Sequence, residues 1–195
     1  MEKIPLPTKD QVQHYSSTAL KEEEYSLNDK ALKHLYHNIY PENNDLLEIK
    51  VKVSTLNDFY STNIYRTHLV SKRILDLNID ERLRQKDETL VNDIARVNIN
   101  GKTFNFYSFA TKYCSHHKPD DYPIYDRYVD EMLWHFQKTK NFSNFKRPEL
   151  RDYPKFKKII YDFIRFFDLE EFSIKDIDRY LWAGGTKYFS KKRNN

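Results

Sequence analysis

Residues 108–129 read SFATKYCSHHKPDDYPIYDRYV and predict a helix, a short turn and a second helix. The first helix must end near residues 119–123 (PDDYP), because each proline disfavours a helical residue before it. Asp126 is suited to cap the N-terminus of the next helix. This arrangement puts Lys112 on one helix and Asp126 at the start of the next, which makes them our candidate reacting pair.

Helical spacing continues outside this stretch. Residues 46–64 carry a short alternating run that would suit a strand, but their three- and four-residue spacing lasts longer, so we predict a helix. Asn98–Gly101 predicts a sharp turn, since Asn and Gly tolerate a left-handed backbone. A capping box at Ser173 and Asp176 opens a helix that we expect to stop at residues 184–185, both glycine. Further helices are predicted at about 27–39, 66–77, 79–85, 88–96, 104–117 and 149–167.

The composition also favours helices. Three glycines in 195 residues leave little for the turns and bulges of a sheet protein, while 13 Phe and 15 Tyr can form a substantial core. We therefore predict an all-α fold, a compact bundle of about eight to ten helices. Residues 1–26 are expected to form an N-terminal arm and residues 27–195 a single helical domain, which leaves open two lobes with a cleft near 105–130. The absence of a long apolar run or a signal peptide predicts a cytoplasmic protein that does not enter membranes.

Charge is unevenly distributed along the chain. The formal net charge is +4, but residues 1–60 hold more Asp and Glu than Lys and Arg, whereas residues 138–158 are rich in Lys and Arg. Such a basic stripe with interleaved aromatic residues is typical of a surface that follows a phosphate backbone. A solvated helix face explains the same pattern equally well.

Two elements of the opening stretch resemble the helix-hairpin-helix/GPD DNA glycosylase superfamily, especially its 8-oxoguanine DNA glycosylase branch. They are Thr111-Lys112 and the run Pro123-Ile124-Tyr125-Asp126, in the order that the superfamily requires, over about 22 residues. A weaker likeness lies at residues 178–182 (DRYLW). The resemblance implies a bifunctional glycosylase/AP lyase in which Lys112 is the Schiff-base nucleophile and Asp126 the catalytic carboxylate. It also implies a monomer that acts on DNA with a damaged or modified base, without cofactor or metal.

The chemistry suits these two residue types. Cleavage of an N-glycosidic bond requires a nucleotide taken out of the stack, support for positive charge on the sugar, and water or an amine at C1′. An unperturbed lysine, with a pKa of ~10.4, is mostly protonated at neutral pH, so a nucleophilic Lys112 needs desolvation or a nearby cation. Asp126 could stabilise an oxocarbenium-like sugar or activate the attacking group.

Other residues are assigned from their position and type. The adjacent histidines at 116 and 117 point in different directions, which favours phosphate contact over a zinc site, and the single Cys114 excludes a four-cysteine iron-sulfur cluster. The candidate DNA contacts are Lys102, His116, His117, Lys118, Arg127, Lys155 and Lys158. The aromatic candidates for a base pocket, each of which could equally be core, are Tyr60, Phe109, Trp134 and Trp182.

One departure from the superfamily keeps a second interpretation open. The superfamily hairpin usually reads Leu-Pro-Gly-Val-Gly before the lysine, whereas residues 106–110 here read FYSFA. Those glycines let backbone amides approach a DNA phosphate, and Asn100-Gly101-Lys102 is the nearest replacement turn. The alternative is a catalytically inactive helical module that binds nucleic acid or another protein.

Overall fold

Helices dominate the computed structural model, which describes residues 4–190, and the predicted all-α class is confirmed. A π-helical segment, Leu35–Ile39, extends the second helix, and a 3-10 helix, Arg147–Arg151, precedes the ninth. Two short strands, β1 (Arg96–Ile99) and β2 (Lys102–Asn105), form an antiparallel hairpin. The α-helices of the described chain are α1 (Lys9–Ala19), α2 (Glu23–His34), α3 (Leu46–Phe59), α4 (Thr67–Asp76), α5 (Ile79–Arg84), α6 (Leu90–Ala95), α7 (Tyr107–His117), α8 (Arg127–Lys140), α9 (Tyr153–Phe166) and α10 (Ile174–Phe189).

The chain divides into two compact units. The terminal unit contains the residues up to Ser26 and from Pro123 onward, and the middle unit contains Leu27–Tyr122. The predicted N-terminal arm is therefore part of the terminal unit, where it forms α1 and the start of α2. Ser16 on α1 donates a hydrogen bond to the Asp176 carboxylate on α10 at 2.8 Å, which ties α1 to that unit.

The core of the terminal unit forms where α10 packs against α1 and α8. The apolar stripe predicted for residues 149–167 is buried on α9, which begins at Tyr153 after the 3-10 turn. Its Phe163 ring lies 5.7 Å from the Phe136 ring of α8 and 5.4 Å from Phe142, centroid to centroid. Aromatic contacts at these separations stabilise the packing beyond the area that they bury.

Helix α10 passes through Gly184 and Gly185 and ends at Phe189, so the predicted stop at the two glycines was wrong. A Cβ at Gly185 would lie 2.7 Å from the backbone oxygen of Tyr128 on α8. A Cβ at Gly184 would lie 2.9 Å from the terminal methyl carbon of Met132 on the same helix. The glycines therefore allow α8 and α10 to approach closely, which is a packing role and not a capping role.

The middle unit is built around contacts of α3 with α4 and α7 and of α6 with α7. Residues 46–59 are helical, and Asp45 caps α3 by accepting hydrogen bonds from the backbone N–H groups of Leu47 and Glu48. The turn predicted at residues 98–101 is confirmed, with Asn100 and Gly101 both at positive φ. The turn connects β1 and β2, and Asn-Gly is the pair that a tight hairpin turn favours. Because β2 extends to Asn105, α7 begins at Tyr107 and not at residue 104.

Substitution of the two glycines of α10 should separate close approach from helix propensity. Gly185→Ala should lower the free energy of unfolding by about 1–3 kcal/mol, because the new Cβ meets backbone that cannot move aside. Gly184→Ala is the matched control and should be near neutral, since the flexible end of Met132 can shift and Ala is favoured over Gly within helices by about 0.5–1 kcal/mol. Urea unfolding measures both; a Gly185→Ala protein as stable as wild type would contradict this packing role.

Candidate functional site

Helix α7, which carries the candidate nucleophile, is buried along its length. All of its residues except Ser108 are buried, including the polar ones. Within the middle unit α7 contacts α3 and α6, so its polar side chains are removed from bulk water on those sides. Buried polar groups of this kind need partners inside the protein.

Lys112 is 4% exposed. Its ammonium donates a hydrogen bond to the hydroxyl of Ser108, one helical turn earlier, with Nζ and Oγ 2.7 Å apart. Nζ also lies 5.2 Å from the centroid of the Tyr60 ring, at the C-terminal end of α3. The i, i+4 spacing of Ser108 and Lys112 places both on one face of α7, so the helix itself fixes the amine.

Tyr60 connects Lys112 to His116. The Tyr60 hydroxyl lies 3.0 Å from His116 Nε2, and either group can donate according to the imidazole tautomer. His116 is only 6% exposed, whereas the sequence interpretation placed it at the surface. We call this group the Lys112 cluster; it consists of Ser108, Lys112, Tyr60 and His116. Of the aromatic residues predicted for a base pocket, Tyr60 belongs to it.

A second buried lysine, Lys52 on α3, was not anticipated from the sequence. It is fully buried, and its ammonium donates to the carbonyl oxygens of Tyr40 and Glu42 and to the side-chain oxygen of Asn43, at 2.7–3.1 Å. Tyr113 of α7 donates to the same Asn43 oxygen at 2.6 Å. Three oxygen acceptors satisfy the ammonium, so Lys52 holds the segment after the π-helical turn in place, and its role is structural.

Two further polar groups of α7 are buried. The His117 ring packs against Tyr36 and Tyr113, and burial lowers the pKa of His117 well below its usual value, so the imidazole is neutral. Its Nε2 makes no hydrogen bond within residues 4–190. Burial also raises the pKa of the Cys114 thiol. The phosphate contact predicted for His117 stays a prediction, with the ring 8% exposed.

Asp126 lies in the terminal unit and is the N-cap of α8, as predicted. Its Oδ1 accepts a hydrogen bond from the backbone N–H of Val129 at 2.9 Å. The segment before it is fixed from two other helices. Asp178 of α10 accepts the Ile124 backbone N–H on both carboxylate oxygens, at 3.1 and 3.2 Å, and Tyr153 of α9 donates to the Pro123 carbonyl at 3.1 Å. Hydrogen bonds from α8, α9 and α10 therefore fix the run from Pro123 to Asp126 within the terminal unit.

A polar network next to that segment also escaped the sequence interpretation. Tyr125 donates to the buried carboxylate of Asp130 at 2.9 Å, and Arg147 donates to the same carboxylate at 2.7 Å. Arg151 donates to the Tyr125 hydroxyl at 3.2 Å. Burial raises the pKa of Tyr125 to about 12, so its hydroxyl stays protonated and acts as a donor to Asp130. Arg147 and Arg151, which belong to the predicted basic stripe, therefore bind side chains within the terminal unit.

The other predicted DNA contacts have different surroundings. Lys102 and Arg127 are exposed and Lys118 is half-buried. Lys155 is paired with Glu149 at 3.0 Å and Lys158 with Asp162 at 2.7 Å, which neutralises part of the basic stripe.

The remaining pocket candidates are not part of the Lys112 cluster. Phe109 is a core residue of α7, 1% exposed. Trp134 and Trp182 lie in the terminal unit, where Trp182 stacks on Tyr25 at 5.3 Å. Lys112 and Asp126 belong to different units, so their convergence stays a prediction.

Residues 4–190 contain neither a candidate metal cluster nor a candidate membrane-spanning helix. No group of three or more His, Cys, Asp or Glu side chains in this range is arranged to hold a metal ion. Among the helices of the same range, none combines the length and the apolar character needed to cross a membrane.

Comparison with known proteins gives a family and a relative. The family model HI_0787_N, described as an N-terminal domain, matches residues 9–121, more than half of the chain. A protein of Haemophilus influenzae strain Rd, whose name reads "Uncharacterized protein", is 48% identical over 139 residues, which are 71% of this chain and 66% of the relative. The match therefore spans slightly less than two thirds of that relative's length. No solved structure matches the chain.

The buried Lys52 should make stability rise with pH. Burial lowers the pKa of Lys52 to about 8, while an unfolded lysine has a pKa of ~10.4. Between these values the unfolded chain binds more protons, so the free energy of unfolding increases with pH, by at most about 1.4 kcal/mol per unit. Urea unfolding from pH 8 to 9.5 should show this slope in wild type and a smaller slope in Lys52→Met. The exposed Lys33→Met is the control, and equal slopes in wild type and Lys52→Met would contradict the assignment.

Proposed function

We propose that this chain, which belongs to the HI_0787_N family, is a DNA base-excision glycosylase with Lys112 as nucleophile and Asp126 as carboxylate. The single observation that carries the proposal is the burial of Lys112. Lysine is almost never buried without a partner, because its long side chain normally reaches water. A lysine that is 4% exposed and oriented by Ser108 is an amine held away from solvent, which a nucleophilic lysine requires.

The proposed reaction begins with a deprotonated Lys112 amine. Nζ attacks C1′ of the deoxyribose, the C1′–N bond to the base breaks, and the base leaves with the electron pair and takes up a proton. The proton that the base takes up is lost from Nζ. The C1′–O4′ bond then breaks, O4′ keeps the electron pair and takes a proton from water, and a protonated Schiff base is formed between Lys112 and C1′. The positively charged imine permits β-elimination of the 3′ phosphate, which is the lyase step.

Asp126 supplies negative charge where the sugar becomes cationic. Its Oδ1 is engaged by the Val129 N–H, and its Oδ2 accepts no hydrogen bond within residues 4–190. A carboxylate with one oxygen fixed by a helix cap is preorganised, so its charge is oriented without further cost during the reaction. Asp178 acts as a positioning residue, because it holds Ile124, two residues before Asp126.

One observation favours the inactive alternative. The place of the superfamily glycine hairpin is taken by Phe106 and the first turn of α7, of which Tyr107 and Phe109 are buried. The bulky side chains of this turn leave a phosphate less room to approach the backbone amides than glycines would. Salt-sensitive DNA binding without base release or covalent trapping would support a binding module.

Borohydride trapping tests the nucleophile. Wild type incubated with oligonucleotides that contain 8-oxoguanine or an abasic site should give a covalent adduct, because borohydride reduces the Schiff base on Lys112. Lys112→Met, which keeps an apolar side chain of similar length, should lose the adduct, and the exposed Lys33→Met should retain it. Circular dichroism and thermal melting establish that both variants are folded. An undiminished adduct in folded Lys112→Met, or none in wild type, would reject the proposal.

Asp126→Asn tests the carboxylate separately from the cap. Asn is as good an N-cap as Asp, so the melting temperature and DNA affinity should change little, while base release should slow by about 10²-fold. Asp45→Asn, at the N-cap of α3, is the matched control and should leave base release unchanged. Equal losses of stability and activity in Asp126→Asn would show that Asp126 serves folding alone.

A further inference from the structure

A second feature of the middle unit is an exposed surface that combines cations with aromatic rings. It is formed by the segment before α4, by α4 itself and by the β-hairpin, and we call it the hairpin surface. We propose that it binds an unpaired strand of DNA, with bases stacked on its rings and phosphates on its cations; the choice of DNA rests on the proposed function. The residues that define it are Tyr65, Arg66, Lys72, Lys102 and Phe104, all of them exposed.

The two parts of this surface are adjacent in the fold. Arg66 donates to the side-chain oxygen of Asn100, in the hairpin turn, at 3.3 Å, and β1 packs against α4. Both parts come from stretches without a carboxylate side chain, residues 59–75 and 94–119. The fold therefore brings two acid-free segments together on one unit.

The aromatic rings are presented to solvent. Tyr65 is 95% exposed, and a cavity of about 240 Å³ opens against it, lined also by Asn57, Asp58, Ser61, Asn63 and Ile64. Phe104 is 38% exposed, and its ring stacks on Phe106 at 6.1 Å with an interplanar angle of 10°. The Lys102 ammonium lies 5.5 Å from the Phe104 centroid. Exposed rings beside cations are the elements with which proteins bind single strands, because every base has a π face.

The cations of the hairpin surface differ from those of the predicted basic stripe. Arg66, Lys72 and Lys102 form no ion pair with any residue in the part of the chain that the structure describes. In the terminal unit, by contrast, Lys155 and Lys158 are paired with carboxylates. Cations without internal partners are available to replace the counterions of phosphates.

The exposed strand β2 raises the alternative of a peptide that adds a strand. All four of its residues are exposed, so its outer edge is accessible. Lys102 lies on that strand, and edge lysines are a device that prevents strand pairing. A duplex fits less well than an unpaired strand, since its bases stack on each other and cannot stack on Tyr65 and Phe104.

The surface is joined to the Lys112 cluster on both sides. Tyr60 of the cluster precedes Tyr65 by five residues, and Phe106, which stacks on Phe104, directly precedes α7 with Ser108 and Lys112. The hairpin surface and the Lys112 cluster therefore lie on two continuous stretches of the middle unit.

Fluorescence anisotropy with a single-stranded oligonucleotide of about 15 nucleotides, and with the same sequence as a duplex, tests the inference. Wild type should bind the single strand more tightly. Tyr65→Ser combined with Phe104→Thr should weaken this binding by about tenfold or more for each ring removed. Arg66→Gln combined with Lys102→Gln should reduce the slope of log K against log salt by about 0.7 for each cation. Melting temperatures show whether each variant is folded.

The control variants carry matched changes in the terminal unit. Tyr161→Ser removes a ring that is 39% exposed, and Lys9→Gln with Arg165→Gln removes two cations that are paired with Glu171 and Asp162; neither should alter the binding. Unchanged single-strand affinity and salt slope in the folded hairpin variants would overturn the inference, as would preferential binding of the duplex that the aromatic pair does not affect. Lys112→Met separates the two proposals, because it should bind the strand normally while losing the covalent adduct. If wild type gives no adduct but the hairpin variants bind less, only the proposed function fails.

Discussion

Burial of α7 imposes the condition that shapes the middle unit: the polar groups on this helix are shielded from water and need partners from within the protein. Lys112 has Ser108 and the Tyr60 ring, and His116 has the Tyr60 hydroxyl. The same condition applies to Lys52 on the neighbouring helix α3, whose ammonium is satisfied by three oxygens. Both buried lysines of the middle unit therefore have oxygen acceptors inside the protein.

Local signals in the sequence predicted the elements well. Apolar spacing located most helices, and the caps at Asp126 and Ser173 were recognisable because a cap depends on residues three positions away. The end of α10 was wrong for a physical reason. A glycine pair indicates either a helix C-terminus or a close approach of two helices, and only the position of Tyr128 on α8 distinguishes them. The two strands were missed because each has four residues.

The candidate site depended more on tertiary structure. The motif with Lys112 and Asp126 could be recognised, but the burial of Lys112 and the support of Ile124 by Asp178 involve helices that are distant in sequence. Lys52 gave no signal, because a lysine within a helix is normally solvated. The number of Lys and Arg residues favoured the C-terminal half as the DNA-binding surface. Such a number does not distinguish a cation that is paired with a carboxylate, such as Lys155, from one that is not, such as Arg66. The division into paired and unpaired cations became visible only in the fold.

The single cysteine of the chain also has a practical consequence. Cys114 lies in the middle of α7 with its thiol enclosed, and there is no second thiol in the sequence to react in its place. A thiol reagent added to the native protein can modify it only when this helix becomes accessible through local opening. The rate of alkylation of Cys114 therefore measures how often the centre of the middle unit opens locally, and no engineered label is needed.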